Sequence, residues 1–575
     1  MILPAIARAE STEVKLWAVD SMTRVGRTAP AAADSETVRI EAARNETEPF
    51  QVIVTSEVEI LRQATVEFSP LRGPGGFEID GAKIFYEHYV RVVESSPKSP
   101  YKPGLHPDPL IPVTPGQSVF KPITELPASG RINQPFWVDI RVPAAAPPGS
   151  YSGEFTLTTG NGEEFSLPVE LIVWDFTLPS KPSLQSEFGL EIPRLERIHG
   201  VERGTSAGNR LLRAYEDLLA DHLLVPESFN GTAAVWDGDS EQVSFLQSRE
   251  PHVGTARDVY RHFFDEKSLN TVGIPLWPDW PYADALGKDR RKAKQYVAKY
   301  VKELAKNGWD GRVIAQCGYV DEPRSRKDYA LVRDWGQFYN EIEAEYGIEV
   351  PMYVTEQPAP EDESWGSLAG YVDIWVVQIG DLWDDMHGYK TGKVAERRAD
   401  GDEIWLYCSL TPMCYTWEEA NGSPEVYKEG NPPAWLIDFP PMNHRITAWI
   451  APIYEASGFL YWSTIDSRDG IDPWKRTDTF AIEDYRFNGD GLFIYPGYRD
   501  TVGYDGPVAS MRLKWIRESF EDHAYISMLE DRGEREFALN QIRRIARNVG
   551  DWADNPTELF AARRAMAKRL AETDT

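Results

Sequence analysis

The sequence predicts a multidomain chain: an N-terminal β-sandwich, then a (β/α)8 TIM-like barrel, then a C-terminal helical extension. Three observations predict it. Short alternating apolar runs fill the first third, eight strand-like runs follow with helical or loop segments between most of them, and helical periodicity dominates beyond residue 500. At 575 residues the chain is too long for one ordinary domain. The expected boundaries are 1–180, 181–500 and 501–575.

In the first region the alternating runs are 14–19, 37–40, 50–54, 136–142, 153–158 and 169–173. Turn chemistry separates them, as in Pro147-Pro-Gly149 and Gly160-Asn-Gly162. Regular spacing without long helical periodicity argues for a sandwich. The stretch 177–183, with two prolines and two serines, reads as a linker.

The pattern then changes. Candidate barrel strands are 186–191, 223–227, 272–276, 313–317, 351–355, 373–378, 404–409 and 458–462. Helical periodicity intervenes at 206–221, 289–306, 327–345 and 443–456. After a turn at Asn488-Gly-Asp-Gly491 and a short run at 492–495, residues 509–530, 534–549 and 556–572 read as amphipathic helices rich in Arg and Glu.

Lys and Arg number 61 against 90 Asp and Glu, a net charge of −29 that repels phosphate backbones and argues against a nucleic-acid partner. No apolar run reaches the roughly 20 residues a membrane span needs. Cys317, Cys408 and Cys414 are odd in number and lack paired spacing, so buried free thiols are expected rather than disulfides or a zinc site. The N-terminus has small residues like the tail of a signal peptide but no charged region or full apolar stretch. A trimmed leader implies a secreted or periplasmic protein; otherwise the reading is cytoplasmic. Nothing in the sequence speaks to oligomeric state.

Nineteen Trp and 26 Tyr, many beside Asp, Asn and Gly, suit a carbohydrate site, where sugar faces stack on rings and hydroxyls need polar partners. In a barrel, chemistry belongs at the C-terminal strand ends. The fourth strand runs out into Gly318-Tyr-Val-Asp-Glu-Pro323, so Asp321 and Glu322 leave an apolar strand together. Pro323 biases Glu322 towards an extended conformation. Two readings of the pair stay open on pattern alone: glycosidic catalysis, which needs an acid for the departing oxygen, and N-capping of the helix that follows. The usual scheme places two carboxyl groups across the sugar, about 5 Å or more apart. Sequence neighbours straddle a ring poorly. They suit substrate assistance instead, in which the sugar's 2-acetamido oxygen attacks the anomeric carbon, one carboxylate orients that amide and the other is the general acid/base.

The sequence resembles glycoside hydrolase family 123. The resemblance is carried by Ala43-Arg-Asn-Glu-Thr-Glu-Pro-Phe-Gln51, Trp137-Val-Asp-Ile-Arg-Val-Pro143 and Val173-Trp-Asp-Phe-Thr-Leu-Pro179, then by Val320-Asp-Glu-Pro323, Trp405-Leu-Tyr-Cys-Ser409 and Gly458-Phe-Leu-Tyr-Trp462. Asp472-Pro-Trp474, Gly489-Asp-Gly491 and Tyr495-Pro-Gly497 complete it in order. The family's characterised members are retaining β-N-acetylgalactosaminidases that use an adjacent Asp-Glu pair. The resemblance therefore implies that Asp321 orients the acetamido group, that Glu322 is the acid/base, and that the partner is a glycan or glycoside with terminal β-linked N-acetylgalactosamine.

Trp462, Tyr407 and Gln378, at or near predicted strand ends, are candidates to wall the sugar or bind its hydroxyls. Trp383 and His387, after the sixth strand, are candidates to cover it, and Tyr319 and Trp277 are further ones. Core packing competes with each aromatic. Asp381, Asp384 and Asp385 read as a solvated loop. No GxGxxG, Walker loop, HExxH or GxSxG occurs, and no cofactor or metal is expected. The same mechanism on N-acetylglucosamine and a non-catalytic carbohydrate-binding protein are the alternatives.

Overall fold

The computed structural model describes residues 14–31, 36–57, 64–114, 116, 131–227, 229, 235–237, 242–244, 255–309, 312–318, 320–360, 362–382, 391–411, 432–466, 471–482 and 484–572. The chain forms two compact units. One comprises 1–89, 105–178 and 499–504; the other comprises 90–104, 179–498 and 505–575.

The first unit is sheet-rich. Strands β1 (Lys15–Asp20), β2 (Val38–Arg44), β3 (Thr47–Glu57), β4 (Thr65–Phe68), β5 (Leu71–Arg72), β6 (Glu78–Ile79), β7 (Lys83–Val92), β8 (Gly104–Pro112), β9 (Arg131–Arg141), β10 (Gly149–Thr158) and β11 (Glu164–Thr177) make two sheets. One has the order β1-β3-β9-β7-β8; the other runs β2-β11-β10-β5-β6, with β4 also on β10. Strand β11 alternates exposed and buried residues along Glu164–Thr177, the period-2 signature of a half-buried strand. Rings from the two sheets meet in the core: Phe50 of β3 lies 6.2 Å from Phe68 of β4, and Phe136 of β9 lies 6.0 Å from Phe155 of β10. The expected turn at 160–162 joins β10 to β11, with Gly162 at φ +84° and its N–H on the Thr159 carbonyl.

The second unit is built on a nearly closed barrel of seven parallel strands. After β12 (Gln185–Phe188) comes a hairpin of β13 (Val235–Asp237) and β14 (Gln242–Ser244). The remaining barrel strands are β15 (Thr271–Gly273), β16 (Arg312–Gln316), β17 (Met352–Val354), β18 (Ile374–Gln378), β19 (Glu403–Tyr407) and β20 (Gly458–Tyr461). Their order is β12-β20-β19-β18-β17-β16-β15, all parallel. Strands β18 and β19 are continuous apolar runs because both faces are covered. Ile314, Tyr353, Ile374, Val376 and Trp405 fill the interior, with Tyr407 and Leu460 against them.

The expected eighth strand, 223–227, is reduced to one bridge between Phe188 and Pro226. Leu223 is left-handed at φ +65°, and Pro226 has no N–H to donate, so the run cannot extend a ladder. Across the remaining gap Asn270 donates to the carbonyls of Pro182 and Leu184.

Beyond residue 505 the helices are Met511–Asp531, Arg535–Arg543 and Pro556–Ala571, in the same compact unit as the barrel. Two expectations need correction here. The helix at 534–549 stops at Arg543, and Ala546–Asn548 pairs with Asp551–Trp552 around Gly550, whose N–H meets Asn548 Oδ1. The first helix is not amphipathic but buried on nearly all sides. Its Asp522 and Glu518 meet Arg445, and Arg563 also reaches Asp522, so the charges are neutralised internally.

Candidate active site

The site begins where β16 ends. Cys317 is buried with its thiol on the Val320 carbonyl, and Gly318 turns the chain at φ +63°. A Cβ at Gly318 would lie 2.0 Å from Trp335 Nε1, so only glycine lets the backbone pass that ring. Asp321 and Glu322 follow, facing the end of β17. The Thr355 hydroxyl donates to Asp321 Oδ1 at 2.5 Å and accepts the Glu322 N–H at 3.1 Å. One side chain thus sets both members of the pair.

Glu322 is not extended, as Pro323 led us to expect, but left-handed at φ +44°. For a residue with a Cβ this costs on the order of 1–2 kcal/mol. The Thr355 bond holds it there, and the conformation sends the two carboxyl groups to different partners. Asp321 stays on Thr355, while Glu322 Oε1 accepts from the Tyr407 hydroxyl at 2.9 Å and its other oxygen meets the exposed Arg324. Neither residue caps the following helix. Helix Arg326–Tyr346 is capped by Ser325, whose hydroxyl accepts the Asp328 N–H.

Tyr407 therefore joins the pair. Gln378 is its register neighbour on β18 and donates to the Ser409 carbonyl, bracing the two strand ends. Asp381, in the turn Ile379–Leu382 after β18, departs from the solvated-loop expectation. Burial, then the charge of Glu322, pushes its carboxyl up to about 7. Asp384 and Asp385 lie outside the described residues, as do Trp383, His387, Tyr319 and Cys414.

Trp462 is half-buried just past β20 and tightly placed. A Cβ on Gly189 would strike its carbonyl oxygen at 1.9 Å, and one on Gly491 would strike its ring at 2.4 Å. Its indole N–H donates to Asp490 at 3.2 Å. Asp490, fully buried, also accepts from Ser409 Oγ, the Leu410 N–H and the Tyr461 hydroxyl, tying the ends of β19 and β20 together. Trp277 pairs with Trp280 beyond β15, with ring centroids 5.2 Å apart. Among the described residues no group of three His, Cys, Asp or Glu could hold a metal, and no helix is long and apolar enough to cross a membrane.

Sequence reasoning missed Thr355 and Asp490 as parts of the site. Thr355 was legible only as the end of a strand. Asp490 had a signal, a carboxylate between two glycines.

Residues 288–529 match the family model described as glycoside hydrolase 123, catalytic domain. A solved family 123 glycoside hydrolase from Clostridium perfringens, studied for the details of glycolipid glycan hydrolysis, superposes with a TM-score of 0.62 at 15% identity, covering 97% of each chain. A family 39 glycoside hydrolase from Bacteroides cellulosilyticus WH2 gives a TM-score of 0.32 at 8% identity over 85% of this chain and 80% of that one. No curated protein matches. The matched residues carry strands β16 to β20 of the parallel barrel and the Asp321-Glu322 pair at its C-terminal mouth, and the domain they resemble is the catalytic domain of a glycoside hydrolase. The likeness to glycoside hydrolase family 123 is carried by residues 288–529.

Proposed function

We propose that this chain is a retaining exo-β-N-acetylgalactosaminidase that removes terminal β-linked N-acetylgalactosamine by substrate-assisted catalysis. The observation that carries the reading is the division of the pair by Thr355 and Tyr407. Adjacent carboxylates cannot flank the anomeric carbon from opposite faces, as a nucleophile and an acid must. The nucleophile is then the substrate's own acetamido oxygen.

In this mechanism Asp321, held by Thr355, accepts the acetamido N–H and turns its oxygen towards the anomeric carbon. Glu322, steadied by the Tyr407 hydroxyl, gives its proton to the departing glycosidic oxygen. The C1–O bond breaks as the acetamido oxygen bonds to C1, giving an oxazolinium ion. Glu322 then takes a proton from water, which opens the ring with net retention. Trp462 and Tyr407 supply the aromatic wall. Glycolipid glycans, which the Clostridium perfringens enzyme hydrolyses, are a substrate class to test first.

The decisive experiment compares nitrophenyl β-glycosides of N-acetylgalactosamine and N-acetylglucosamine with wild type and Glu322→Gln. The expected result is preferential release from the galacto compound, loss of nearly all of it in the variant, and inhibition of wild type by the matching thiazoline, which mimics the cyclised intermediate. A folded Glu322→Gln protein with near-full activity overturns the assignment, and faster release from the gluco epimer moves the specificity to that sugar.

A further inference from the structure

One polar group inside the barrel has no part in the chemistry described above. Glu187 lies on β12, in register with Leu460 of β20, and Leu460 packs against the barrel interior. Its carboxyl is therefore an interior group, 7% exposed. It is hydrogen-bonded to Tyr353 of β17, another interior side chain. The second oxygen, Oε2, is buried with no hydrogen-bond partner in the protein. Buried polar atoms in native proteins are nearly always paired, so an orphan carboxyl oxygen inside a barrel asks what it is there to meet.

Its neighbour gives the setting. Glu227 follows the bridge at Pro226 and is close enough for its charge to act on Glu187. Glu227 has an exposed surface, yet enclosure by protein dominates its raised proton affinity, with the charge of Glu191 second. The placement relative to the catalytic pair follows from strand geometry. Tyr353, which touches Glu187, and Thr355, which touches Asp321, lie on one face of the same segment, and Leu460 and Trp462 are likewise two residues apart. Same-face neighbours on a strand are roughly 6.6 Å apart. Glu187 thus lies one layer below the level of Thr355 and Trp462, about the span of a pyranose ring.

We infer that Glu187, with Glu227, is the receptor for the non-reacting hydroxyl edge of the terminal sugar, whose anomeric carbon meets Asp321 and Glu322. This rests on the proposed glycosidase reading and adds the residues that select the sugar. A sugar hydroxyl both donates and accepts. Two close, enclosed carboxyl groups offer both functions, since one retains its proton and donates while the other accepts. A pair made only to bind a cation would need no proton. The same floor explains exo action, because a group beneath the ring leaves no passage for a continuing glycan chain.

The test couples protein and substrate changes. Rates for wild type, Glu187→Gln and Glu187→Ala are measured on nitrophenyl N-acetyl-β-galactosaminide and on its 4-deoxy and 6-deoxy analogues. One deoxy analogue is expected to lose about 10- to 100-fold in kcat/KM with wild type. Glu187→Ala should lose a similar factor on the parent compound but little more on that analogue. Circular dichroism and the milder Gln variant guard against misfolding. Equal, additive losses on every substrate, or no loss, overturn the inference.

Binding of the parent glycoside to Glu322→Gln, read by tryptophan fluorescence with and without Glu187→Ala, separates the two proposals. Binding that depends on Glu187 in a protein whose wild type cleaves nothing leaves the receptor standing and removes the hydrolase reading. Cleavage without any dependence on Glu187 does the reverse. A protein that neither binds nor cleaves the panel overturns both.

Discussion

Replacing Asp490 should cost both stability and turnover, because one fully buried carboxyl serves two strand ends. It accepts from Ser409 Oγ at 3.1 Å, Leu410 N at 3.3 Å, Tyr461 Oη at 3.2 Å and Trp462 Nε1 at 3.2 Å. In Asp490→Ala the Tyr461 hydroxyl and the Ser409 hydroxyl, both buried, lose that acceptor. An unpaired buried donor costs about 1–3 kcal/mol, so the two together cost about 2–6 kcal/mol, a large part of a typical domain's margin. The half-buried indole of Trp462 can turn towards water, so its loss appears as disorder of the sugar wall rather than in stability. Burial raises the proton affinity of Asp490, so the neutral isostere should be the milder change. The order expected in urea midpoint and in kcat/KM is wild type, then Asp490→Asn, then Asp490→Ala. An alanine variant with an unchanged midpoint and unchanged kcat/KM would refute the claim that this carboxyl organises the site.

Three further outcomes are expected. Thr355→Val removes the hydroxyl that serves Asp321 and Glu322 together, so kcat should fall about 10- to 100-fold with KM and melting temperature little changed. Asp381 ionises at about 7, and its charge near Glu322 favours a cationic transition state. Wild-type kcat/KM should therefore rise through pH 7, and a pH profile of Asp381→Asn should lack that step. Burial holds His523 down at about 4, well below the 6.5 of an exposed imidazole, so the folded protein keeps it neutral while the unfolded chain binds a proton. Its contribution is complete above pH 6.5 and is lost as pH falls towards 4, by about 3 kcal/mol. Melting temperatures of His523→Gln should accordingly fall less than those of wild type between pH 7 and pH 4.5.

What the sequence disclosed followed the strength of its periodic signals. The helix Arg326–Tyr346 and strands β18 and β19 were legible within one or two residues, because long amphipathic and continuous apolar runs report burial directly. The 223–227 run failed as a strand because composition does not reveal a left-handed Leu223. The 534–549 helix failed at its end because a turn signal, Asn548-Val-Gly550, sat inside helical spacing. At the site, adjacency alone singled out Asp321 and Glu322, and Tyr407 was legible as a strand-end aromatic. Thr355 was not, since its role depends on β17 lying beside β16, a fact of register. Glu187 carried a signal that went unread. A glutamate inside an apolar barrel strand is costly to bury and so invites a reason.

The groups gathered at this mouth also constrain which glycans can enter. Asp321, Glu322 and Asp381 are carboxyl groups, the inferred receptor adds Glu187 and Glu227 below them, and Arg324 is the cation on Glu322 and is itself exposed. The chain as a whole carries a net charge of −29, so the long-range field and the local one have the same sign. An anionic substituent on the terminal sugar, such as a 6-sulfate, would meet both, and at the floor it would be set against whichever of Glu187 and Glu227 is ionised. Repulsion between enclosed like charges at about 4–6 Å amounts to several kcal/mol at an effective dielectric near 20. The 6-sulfated nitrophenyl glycoside should therefore be cleaved at least about 100-fold more slowly than the neutral parent. The long-range share should yield to salt, narrowing the gap as ionic strength rises, while the contact share should persist at 1 M, where the Debye length is about 3 Å. Equal rates on the two compounds at low salt would mean that these carboxyl groups do not face the sugar.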